Sequence, residues 1–114
     1  MLILNLFDLI GEHCSDRHES EQSKGGSYIR ELILENWDKN DKIVLSFKGV
    51  KTATPSFLDE SIAKLLLAHS LDELKRKLVV TDIEEKKKIE INRRVSFRLK
   101  QLQDEKNQPL HKTE

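Results

Sequence analysis

The segment IVLSFKGVKTATPSFLDESIAKLLL, residues 43–67, decides how this chain is read. With Lys42 ahead of it, the run KIVLSF carries apolar residues at 43, 44, 45 and 47. Such a run bounded by turns predicts a central strand covered on both faces, and Gly49 breaks it. Thr54-Pro55 then sets a capping residue before a proline whose fixed φ suits the first helical position. Ser56-Phe57-Leu58-Asp59 offers a second register, a capping box with Asp in place of the usual Glu. In either register Asp59 and Glu60 favour the positive end of the helix dipole. Leu58, Ile62, Leu65 and Leu66 give the buried stripe of a helix over 57–67.

Strands and helices alternate outward from this centre. Leu2 to Phe7 reads as a short buried strand. Gly11 to Gly26 has no periodicity and reads as a long polar loop, of the kind that is often functional or mobile. Ser27 starts a helix whose stripe is Tyr28, Ile29, Leu32, Ile33 and Trp37, and Lys39-Asn40-Asp41 ends it. On the other side, Ser70-Leu71-Asp72-Glu73 restarts a helical turn, Leu78-Val79-Val80 is a third strand, and a long helix runs from Asp82 to about Glu105. Ile91, Val95, Leu99 and Leu102 form that helix's inward line. The order predicts one α/β domain over 1–105, with a mostly parallel or mixed sheet and packed helices. A frayed tail over 106–114 follows.

The chain has 114 residues and equal numbers of basic and acidic side chains, 20 each. A chain of this size buries about two-thirds of its surface, which leaves little room for a deep substrate pocket and argues against an enzyme. Net neutrality is unfavourable for a general nucleic-acid binder, which needs a basic field to displace counterions. The charge is unevenly spread all the same. Asp8 to Glu21 holds five acids against one base, and Lys86 to Lys100 seven bases against one acid, giving local charges of −4 and +6. A single cysteine, Cys14, gives no internal disulfide. The N-terminal MLILNLFDLIG lacks a basic leader region, and no run approaches a membrane span of about 20 residues. The expected compartment is the cytoplasm.

Several groups are candidates for chemistry. Glu12, His13, Cys14, Asp16 and His18 include metal-capable types but lack two close ligand pairs, so they read as a polar surface loop. No metal ligand set and no cofactor motif is assigned. Gly25, Gly26 and Ser27 precede a helix whose amides suit an anion, with a hinge and cap as the plainer reading. Ser56 stands just after the central strand, on the side of the sheet where α/β proteins place functional groups. Thr52, Thr54 and Ser61 are nearby hydroxyls of the same kind. Arg93, Arg94 and Arg98 mark a basic helix face that is a candidate contact for nucleic acid.

Gly49-Val50 and Thr54-Pro55-Ser56-Phe57, with FDLIGEHC at 7–14 and the SYIRELI helix, resemble the STAS-like family, related to the sulfate-transporter and anti-sigma-factor-antagonist domain. The resemblance spans residues 1 to about 100. It implies a non-enzymatic regulatory module that docks a protein partner through the 52–62 loop and helix, with Thr52, Thr54, Ser56, Phe57, Asp59 and Glu60 as the contact surface. Anti-sigma antagonists present a serine in an Asp-Ser-Ser-Gly loop to a kinase of the histidine-kinase-like ATPase class. Here Thr54 occupies the acid position, Pro55 the phosphorylated one, and Ser56 the second serine, so Ser56 is the expected modified group. The alternative is a nucleic-acid-associated component binding through the basic 86–100 helix.

Overall fold

A computed structural model of the chain describes residues 1–19 and 24–106. The chain order is β1 (Leu2–Asn5), α1 (Leu6–Leu9), β2 (His13–Cys14), α2 (Gly26–Glu35), a 3-10 turn at Trp37–Lys39, and β3 (Ile43–Ser46). Then come β4 (Thr52–Ala53), α3 (Pro55–Ser61), a 3-10 stretch at Ala63–Leu67, α4 (Leu71–Lys77), β5 (Leu78–Thr81) and α5 (Glu85–Lys106). Three strands form the main sheet in the order β1-β3-β5, with β3 parallel to both neighbours. The short β2 and β4 pair separately, also parallel. This is the expected α/β architecture with KIVLSF at its centre.

Alternation along the strands divides the sheet into two unlike faces. Leu4, Ile43 and Leu45 point into a single apolar cluster, where they meet Ile29 and Ile33 of α2, Phe57 and Leu58 of α3, Leu74 of α4 and Ile91 of α5. Ile3, Val44 and Val79 lie in one register row on the opposite face. Ile3 is 51% exposed and Val79 37%. The expected covering of β3 on both faces is therefore corrected to one. The apolar run persists because Val44 is sheltered from the side by its two register partners.

Other boundaries shift for local reasons. The first strand stops at Asn5, and Leu6 turns fully inward at the start of a helical turn. Trp37 lies beyond α2 in its own 3-10 turn, where it stacks on His69 with ring centroids 3.9 Å apart. The helix expected over 57–67 divides at Ile62 into α3 and the 3-10 stretch. Ser61 Oγ donates to the Phe57 carbonyl at 2.7 Å at that point, a back-bond that bends helices. α4 begins with the reciprocal capping box of Ser70 and Glu73. α5 continues to Lys106, and the rest of the expected tail, 107–114, lies outside the described residues. Among the described residues no helix is long and apolar enough to cross a membrane.

Candidate functional site

Thr54 is the cap that α3 uses. Its Oγ1 accepts from the Phe57 amide at 3.2 Å, and Pro55 takes the first helical position. The same hydroxyl donates to the Ser15 carbonyl at 2.8 Å, while the Thr54 amide donates to Cys14 O at 3.0 Å. The Lys51 and Thr52 amides both reach Glu12 O, and His13 Nδ1 meets Thr52 Oγ1 at 3.0 Å. Residues 12–15 are thus strapped along the entry to α3. The competing register, with Ser56 as the cap, is not adopted. Ser56 sits in the first turn, half-buried, and its hydroxyl has no hydrogen-bond partner among the described residues.

Five consecutive residues of α3, Phe57 to Ser61, are buried. A helix buried on every side is usually apolar all round, yet two of these five are acids. Asp59 is 1% exposed and Glu60 0%. Neither lies in the first turn, so dipole compensation is not their role. Arg98 grips Asp59 with a two-pronged pair, Nε to Oδ1 at 2.8 Å and Nη2 to Oδ2 at 2.6 Å. Arg17 Nη1 reaches Asp59 Oδ2 at 2.9 Å and Glu60 Oε1 at 3.3 Å. Glu60 also takes Arg30 at 2.5 Å and Lys64 at 2.8 Å, and Arg30 donates to its carbonyl at 2.8 Å. Burial pushes both carboxyls up, but the hydrogen bonds and charges of these cations outweigh it and hold each at about 2. Both are therefore ionised at neutral pH and fully paired.

The glycine pair before α2 serves this packing. A Cβ on Gly26 would lie 2.9 Å from both Glu60 Cβ and the Phe57 carbonyl oxygen, and one on Gly25 would lie 2.5 Å from the His18 backbone. The Gly26 and Ser27 amides already donate to Asp16 O and Arg17 O, each at 2.8 Å. The candidate anion site at Gly25, Gly26 and Ser27 loses two of its donors, because the chain's own carbonyls take the Gly26 and Ser27 amides. Nor does Ser27 cap α2, which starts one residue earlier with Gly25 as N-cap and no side-chain cap.

The family model for a STAS-like domain of unknown function matches residues 25–88. The chain belongs to that family. No curated protein and no solved structure matches it. The matched span of the STAS-like domain holds Arg30, Asp59, Glu60 and Lys64, whereas Arg17 and Arg98 reach into the network from either side of it.

The STAS-like domain distributes the six expected contact residues over two levels. Thr52, Thr54 and Ser56 are half-buried at the surface, while Phe57, Asp59 and Glu60 lie beneath them in the core. Of the three arginines on the basic helix, Arg98 is committed to Asp59. Arg93 and Arg94 flank Glu90 at 3.0 and 3.3 Å. The metal-capable residues of the first loop go separate ways. Glu12 pairs with Lys51, His13 with Thr52, and Cys14 is buried, its thiol pushed up to about 11 by burial. Among the described residues no three His, Cys, Asp or Glu converge on a metal position. Sequence reasoning missed the network because its partners are distant. Only Lys64, one helical turn beyond Glu60, stands at the spacing of a local pair.

Proposed function

We propose that the domain is a non-enzymatic, cytoplasmic regulatory module that docks a partner protein through the entrance to α3, in the manner of an anti-sigma-factor antagonist. One observation supports this above the rest. Asp59 and Glu60 anchor α3 from below through four cations, so its first turn is a rigid lip on the surface. On that lip Thr52 and Thr54 have their hydroxyls engaged, and Ser56 offers one without a partner among the described residues. A rigid lip orders little on binding and keeps the entropic cost of association low. A phosphate on Ser56 adds about −1.5 to −2 of charge at a helix start, which alters how a partner meets the lip. A histidine-kinase-like ATPase is the proposed partner class, and the buried, protonated Cys14 suits a reducing compartment.

The test is titration of the chain against a histidine-kinase-like ATPase from the same cell, with mass spectrometry of the chain after incubation with ATP. Binding weakened at least about tenfold by Ser56→Glu and by Thr52→Lys, but not by Arg93→Gln, is the expected result. Equal binding by all these variants, with no phosphate on Ser56, removes the proposal. Nucleic-acid binding through the 86–100 helix has less support, because Arg98 is turned inward and Glu90 sits between Arg93 and Arg94.

A further inference from the structure

α5 carries two apolar lines where a surface helix needs one. Ile91, Val95, Leu99 and Leu102 face the core. Ile89 and Phe97 point away from it and are 48% and 54% exposed. At about 3.6 residues per turn they share the outward face with Lys86, Arg93 and Lys100, and with Asp104 at its C-terminal end. From Lys86 to Lys100 the face therefore alternates basic and apolar side chains. Its two apolar residues stand about 12 Å apart, eight residues at about 1.5 Å each. Arg94 lies 5.3 Å from the centre of the Phe97 ring and steadies it.

We infer that this outward face of α5 is a docking surface for an acidic amphipathic segment of a partner protein. Charge complementarity selects that occupant. Lys86 and Lys100, with Arg93 shared with Glu90 at 3.0 Å, attract a segment bearing carboxylates, and Ile89 and Phe97 receive the apolar residues between them. A second copy of the chain would bring like-charged faces together. A phosphate backbone would satisfy the cations and leave both apolar side chains without burial. An anionic lipid surface would gain little from two separated apolar residues. This surface is independent of the α3 lip, so either can fail without the other.

The experiment pans a displayed library of random peptides against the full chain and titrates the enriched peptides by fluorescence anisotropy. Duplex DNA and phosphatidylserine vesicles are run alongside. The expected peptides are acidic, with apolar residues seven or eight positions apart. Their binding weakens with added salt and falls about tenfold or more in Phe97→Ser and in Ile89→Ser. Arg93→Glu provides a second route to the same loss, and thermal melts of all three variants are expected to match the parent. The inference is overturned if no peptide is enriched, if the enriched peptides are not acidic, or if they bind the variants as well as the parent. Preference for DNA or vesicles overturns it too, as does self-association that Phe97→Ser abolishes.

Discussion

Asp59 shows how much one buried carboxylate can require of a small protein. Removing one member of a buried ion pair leaves the other charge uncompensated, a loss of about 3–5 kcal/mol. Asp59→Asn is expected near the lower end, because Arg17 and Arg98 keep part of their hydration, and urea denaturation measures it. Acid gives an independent check. Both carboxyls sit at about 2 in the folded chain, against ordinary values of 3.8 and 4.5. Their stabilisation is complete above those ordinary values and is lost as the pH falls through them towards about 2. The unfolding free energy should therefore drop steeply over that interval, and Asp59→Asn with Glu60→Gln should flatten the slope. None of this was legible in the sequence. Two adjacent acids early in a helix satisfy the dipole rule, and only the tertiary fold brings Arg17 and Arg98 to them from 42 and 39 residues away.

At the scale of the element, α3 was half legible. Its start was written in Thr54-Pro55, and the structure uses that register. The reason lies outside the helix, because Thr54 also fastens the strap through Cys14 O and Ser15 O. Thr54→Ala should cost about 1–2 kcal/mol as a lost cap, whereas Ser56→Ala should cost under about 0.5 kcal/mol as an ordinary surface change. Paired thermal melts compare them directly. The division at Ile62 had no sequence signal, since the apolar stripe continues through it. The Gly25-Gly26 pair was visible but suggested a hinge, and its steric purpose appears only once α3 is laid against it. Gly26→Ala forces atoms apart at 2.9 Å and is expected to cost about 1–3 kcal/mol. Chemical denaturation reads that loss.

For the molecule as a whole, the alternation of apolar runs was enough to give the parallel sheet and the central place of β3. It did not give the bare face, because Val44 among apolar neighbours looks the same whether a helix or only Ile3 and Val79 lies beside it. The asymmetry is measurable. Leu45→Ala on the covered face should cost about 2–5 kcal/mol, and Ile3→Thr on the bare face no more than about 0.5 kcal/mol, compared by equilibrium unfolding. The charge network acts at this scale as well, since it ties the first loop, α2, α3 and α5 to one point. That arrangement bears on the chain as it is made. Arg17, Arg30, Asp59, Glu60 and Lys64 all leave the ribosome before Arg98, so the nascent α3 holds an acid whose strongest partner does not yet exist. Burying it early would leave Asp59 to Arg17 alone, so closure of the interior is expected to gain most of its stability once α5 has been synthesised.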